Sequence, residues 1–139
     1  MRASWIFAAA ALLAAPAAAQ TAPGILGKWK TDDGNAIVLI APCTPGNPAL
    51  CGWVSRFLVA EPAGGIRDAK NPDPKLRGRT VLGSAVLAGL RASGPAWKGR
   101  GYSARDGRNF AATVTVEGDR LRLRGCVAII CRTVVWTGG

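Results

Sequence analysis

Past its first two dozen residues the chain alternates apolar and polar positions with a period of two. These runs are short and are broken by Gly, Asp, Asn and Pro. That period marks half-buried strands. No stretch holds apolar residues at i, i+3, i+4 and i+7 over successive capped turns, so helices are not expected. A first strand is read at 27–31, closed by the turn Asp32-Asp33-Gly34-Asn35. A continuous apolar strand follows at 36–41, then a Pro/Gly-rich loop at 42–49. The third strand, 51–59, puts Cys51, Trp53, Ser55 and Phe57 on one face. Residues 60–79 lack periodicity and carry Pro62, Gly64, Gly65, Pro72 and Pro74, which makes them the longest loop. Loops of such length are commonly functional or disordered.

The fourth strand, 80–90, is rich in small residues. The fifth, 96–102, sets Trp97, Gly99 and Gly101 against Lys98, Arg100 and Tyr102. The sixth, 110–117, sets Phe110, Ala112, Val114 and Val116 against more polar neighbours. The seventh, 120–126, sets Leu121 and Leu123 against Arg120, Arg122 and Arg124. The eighth, 131–137, ends near Trp136. Eight short strands with mostly tight connections predict an all-β, antiparallel up-and-down barrel, whose closure removes exposed edges. A two-sheet β-sandwich is the alternative.

The beginning of the chain changes the compartment. A basic Met1-Arg2 start, an apolar run from Trp5 to Ala15 and the small residues Ala17-Ala18-Ala19 read as a signal peptide over 1–19. Cleavage is expected after Ala19, which leaves 20–139 as a single β-barrel domain in the periplasm or secreted. The apolar run is shorter than the roughly 20 residues of a transmembrane helix. No Cys follows it to carry a lipid, and no twin Arg precedes it.

All four Cys lie beyond that segment: Cys43, Cys51, Cys126 and Cys131. An even count in an exported chain reads as disulfides. Three pairings are open, and Cys43–Cys51 with Cys126–Cys131 is favoured because each closes a local loop. Neither spacing is Cys-x-x-Cys, and the absence of His argues against zinc. No metal or other cofactor is expected.

The formal net charge of +10 draws a protein to anionic surfaces. Arg120, Arg122 and Arg124 form a basic stripe along one strand face. Nucleic acid is not the expected partner. Such binding needs exposed aromatics among the cations, and here Tyr102 is the sole Tyr while the Trp residues look inward. Without His the usual general base is missing. Asp68, Asp73 and Asp106 each sit in a turn-like context, and no phosphate-binding Gly loop appears. An enzyme is therefore not expected.

Several strings occur in a familiar order. They are Gly27-Lys28-Trp29, Cys51-Gly52 after an earlier Cys, and Asp68-x-x-Asn71-Pro72-Asp73-Pro74-x-Leu76-Arg77-x-Arg79. Then come Leu82-Gly83, Trp97-x-Gly99, Asp106-Gly107, Arg124-Gly125-Cys126 and Arg132-Thr133-x-x-Trp136. Together they resemble the bacterial exported family filed as domain of unknown function 2147. The resemblance implies a lipocalin-like eight-stranded barrel and assigns no activity. Gly27-x-Trp29 also resembles the opening motif of lipocalins, where the Trp closes one barrel end beneath an Arg from a late strand. Arg132 or Arg124 is the candidate for that part.

Two candidate sites follow. Trp29, Trp53, Phe57, Trp97, Phe110 and Trp136 are candidates to line a cavity for a small apolar or amphipathic ligand. Equally, they can fill the barrel. The loop residues Asp68, Asn71, Asp73, Arg77 and Arg79 read as an entrance whose arginines grip an anionic group. They read equally as a brace in which Asp68 pairs with Arg77 or Arg79 and Asn71 satisfies turn backbone. The rival function is an envelope interaction protein that docks through its basic surface on anionic glycolipid, polysaccharide or a protein partner.

Overall fold

In a computed structural model of the protein, residues 10, 11 and 24–139 are described. The predicted signal peptide and its cleavage point therefore lie, apart from residues 10 and 11, outside the described residues. Eight strands run in chain order: β1 (Gly27–Lys30), β2 (Ala36–Pro42), β3 (Leu50–Phe57), β4 (Ala85–Ser93), β5 (Ala96–Ser103), β6 (Arg108–Glu117), β7 (Arg120–Val127) and β8 (Ile130–Gly138). Each pairs antiparallel with the next, and β8 returns to β1 to close the barrel. The β1–β8 seam is short: Trp29 faces Gly138 and Lys30 faces Thr137. Among the described residues, no helix is long and apolar enough to cross a membrane.

Up-and-down topology sorts the connections onto two ends. The base gathers the β2–β3 loop, the β4–β5 and β6–β7 turns and the end of β8. The rim gathers the β1–β2, β3–β4, β5–β6 and β7–β8 connections. The base is filled. Ile40, Leu50, Leu90, Val114, Leu121 and Trp136 meet there, all buried, with Leu90, Val114 and Leu121 wholly so. Trp29 caps them and donates its indole Nε1–H to the Ile25 carbonyl at 2.9 Å. Neither expected arginine closes over Trp29. Arg124 projects from the outer face of β7, and Arg132 is exposed toward the rim. The arginine–aromatic stacking described lies elsewhere, Arg79 over Tyr102.

One bulge and one turn account for two departures from the sequence expectation. The β2–β3 register shifts between Ile37 and Val38, leaving Ser55 without a partner. An unpaired residue inverts the strand's alternation. Phe57 therefore faces inward beside Ala36, while Trp53 and Cys51 face outward beside Leu39 and Ala41. The four residues expected on one face are split between two. The fourth strand starts at Ala85, not at 80, because Gly83 adopts φ +81° and the backbone turns there.

Between β3 and β4 the long loop is a closed ribbon. Arg67 bridges Thr80, Val81 N–H donates to the Ile66 carbonyl at 2.8 Å, and Asp68 N–H donates to the Arg79 carbonyl at 3.0 Å. Ile66 and Val81 tuck against Ala36, Val54 and Ala104 at the rim. Beyond that neck, residues 69–78 stand out as a lobe containing a short 3-10 helix, Pro74–Leu76. Cys43 bonds Cys51 and Cys126 bonds Cys131. Two bridges are the mark of a chain that folds in an oxidising compartment.

Candidate functional site

Asp68 organises the lobe. Its carboxylate is 1% exposed and accepts hydrogen bonds from Tyr102 Oη at 2.6 Å, Asn71 Nδ2 at 2.8 Å and Arg79 Nε at 3.0 Å. Burying a carboxylate is costly unless it is paired and fully hydrogen-bonded, and here three side chains meet that requirement. Burial pushes the Asp68 pKa up. The bonds from Tyr102, Asn71 and Arg79, with the Arg79 charge, outweigh it and hold the carboxyl below its usual range. Tyr102 shows the converse. Burial, the bond to Asp68 and the Asp68 charge push its phenol up to about 12.

The brace continues outward. Asn71 Oδ1 accepts from Asp73 N–H at 2.9 Å, Asp73 Oδ1 accepts from Lys75 N–H at 3.0 Å, and Arg77 Nε donates to the Asn71 carbonyl at 2.8 Å. Asp68 thus pairs with Arg79, and Arg77 serves the backbone. Gly107 in the β5–β6 turn has φ +65°, and a Cβ there would strike the Lys70 carbonyl, so only glycine lets the lobe seat.

Tyr102 decides where the lobe lies. Gly99 and Gly101 face inward, paired with Ala112 and Phe110, so Tyr102 and Arg100 face outward. Asp68 therefore fastens the lobe to the outer wall of the barrel. A cleft of about 680 Å³ separates them, lined by Pro72, Leu76, Ala85, Val86 and Ala88 on its apolar side and by Asn71, Asp73, Arg79, Arg100, Tyr102 and Asn109 on its polar side. The Nε of Arg79 is spent on Asp68, while no described hydrogen bond engages its two Nη groups.

None of the six aromatic candidates lines this cleft. Trp29 and Trp136 are core, Trp97 and Phe110 are half-buried against it, Phe57 joins the rim cluster and Trp53 is on the outer wall. The Phe110 ring lies over Gly101 and Gly125, where added Cβ atoms would meet it. Strand register brings cations together that are far apart in sequence. Arg91 faces Lys98, Lys98 faces Thr113, and Thr113 faces Arg124. With Arg100, Arg122 and Arg120 they make one exposed basic face across β4 to β7. The two ion pairs among the described residues, Arg79–Asp68 and Arg105–Asp33, engage none of those six.

No curated protein matches the chain. Among solved structures it is similar to protein HP1028 from the human pathogen Helicobacter pylori, described as belonging to the lipocalin family. The TM-score is 0.70, the identity 19%, and 82% of each chain is covered. At that identity the likeness establishes a lipocalin-like fold. Residues 27–138, the entire barrel, match the family model of an uncharacterised protein conserved in bacteria, domain of unknown function 2147, and the chain belongs to that family.

Proposed function

We propose that this protein, acting in the periplasm or after secretion, binds a small amphipathic anion in the cleft between the 69–78 lobe and the outer wall of β4 and β5. One observation carries the reading. A cleft of about 680 Å³ sets an apolar strip, Pro72, Leu76, Val86 and Ala88, beside two guanidinium groups, Arg79 and Arg100. That volume suits a small molecule, and such sites are mostly apolar with a few placed polar groups. A carboxylate or phosphate headgroup would take paired N–H bonds from Arg100 and from the free Nη groups of Arg79. Its alkyl part would lie along Leu76 and Ala88. The lumen is the poorer seat, because Trp29, Leu121 and Trp136 already fill its base. The fold suits a binding protein.

Fluorescence titration with anilinonaphthalene sulfonate, followed by displacement with medium-chain fatty acids, tests this. Arg100 is exposed, so Arg100→Ala leaves the fold intact and is expected to weaken binding about tenfold, the worth of one charge-assisted hydrogen bond. Ala88→Phe is expected to block the cleft. Binding that ignores both substitutions would defeat the proposal.

A further inference from the structure

The β7–β8 hairpin ends at the rim in an apolar tip, Val127-Ala128-Ile129-Ile130. Ile129 is 93% exposed, Ile130 72% and Val127 44%. The two-residue turn at its apex is built against local preference. Such turns favour Gly, Asn or Asp where φ is positive. Here Ala128 holds φ +53°, the sole positive-φ residue other than glycine among the described residues. Cys126 and Cys131 are direct cross-strand partners and tie the strands together just below the apex. The fold gains nothing from an exposed Ile on a strained turn. A backbone outlier of this kind is a reason to look for a function.

The surroundings of the tip are cationic. Arg124, two residues before Cys126, and Arg132, directly after Cys131, both lie on the barrel side of the cystine, and both are exposed. Arg100 shares its cross-strand row through Ala111. The adjacent β5–β6 turn carries one acid, Asp106, between Arg105 and Arg108. Apolar side chains at a protruding tip with cations set just behind it match a bilayer that carries anionic lipid. The tip enters the acyl boundary, and the arginines stay among the headgroups. A soluble polyanion would use the arginines and leave the isoleucines without a role. We infer that the cystine-stapled β7–β8 tip is a membrane-docking finger for anionic lipid surfaces.

Flotation with vesicles of phosphatidylcholine, with and without phosphatidylglycerol, tests the assignment. The protein is expected to float with the anionic vesicles and to be released by salt, since headgroup attraction is screened. The decisive variant is Ala128→Gly with Ile129→Ser. It supplies the residues this turn prefers, so it folds at least as well, and circular dichroism with thermal melting verifies that. Its vesicle partitioning is expected to fall about tenfold, the worth of one buried Ile side chain. Arg124→Glu with Arg132→Glu is expected to abolish the preference for phosphatidylglycerol. Equal partitioning of the turn variant and the parent would overturn the inference. So would retention on heparin that the turn variant leaves unchanged, with no vesicle binding, because it would assign the face to a polymer.

Discussion

The two ends of the barrel are stabilised by different physics. At the base, Leu90, Leu121 and Trp136 interlock through burial, which has no direction and tolerates exchange of one apolar shape for another. At the rim, one carboxylate with three partners positions a whole lobe, and the outward tip of β7 and β8 is left apolar and wet. Loss at the base costs folding. Loss at the rim costs geometry, and with it the cleft. The base keeps the barrel closed despite its short β1–β8 seam, and this allows the rim to spend residues on a lobe, a cleft and a tip.

The largest effect is expected at the base. Leu90→Ala removes a fully buried side chain and should lower unfolding stability by about 3–4 kcal/mol, read by urea denaturation. If the loss stays under about 1 kcal/mol, the base is not the packed end.

The next effect is Asp68→Asn, expected to cost about 2–3 kcal/mol through loss of the charged acceptor. It also changes the pH profile. The Asp68 carboxyl is depressed in the fold, so its contribution is present above the usual carboxylate pKa. It is lost as pH falls below about 4 toward the native value. The parent should lose stability in that acid range, and the variant should show a flatter profile. Tyr102, raised to about 12, has the opposite sign. Its contribution is complete below about pH 10 and is lost as pH rises toward the native value. Tyr102→Phe should flatten that alkaline limb.

The smallest effect is the exposed pair Arg105–Asp33, which ties the β5–β6 turn to the β1–β2 turn at 2.6 Å. Partly exposed ion pairs are worth about 0.2–1 kcal/mol, and a double-mutant cycle should return a value in that range. A larger coupling would make the rim stiffer than its exposure suggests.

The sequence made the barrel legible because period-two alternation survives in β5, β6 and β7, where Leu121 and Leu123 face the core and Arg120 and Arg122 face water. It misled at Trp53, because an unpaired Ser55 inverts the alternation and leaves no mark in composition. The loop residues were visible as a polar cluster. Their anchor was not, because Tyr102 lies 34 positions from Asp68 and only the closed sheet brings them together. The same holds for the basic face. Arg120, Arg122 and Arg124 are a stripe on one strand, but Arg91, Lys98 and Arg100 join them only through register. The cleft was illegible for the same reason, since its two sides come from a loop and from strands that pattern alone does not place in contact.

The most direct test of where a ligand sits is a proton–nitrogen NMR titration of the labelled protein with a medium-chain fatty acid. The cleft account expects shifts at the Asn71 side-chain amide, Arg79 Nε–H and the Ala88 and Arg100 amides. It expects the Trp29 and Trp136 indole signals to stay still. Movement of those indoles with a silent cleft would contradict it and return the ligand to the lumen.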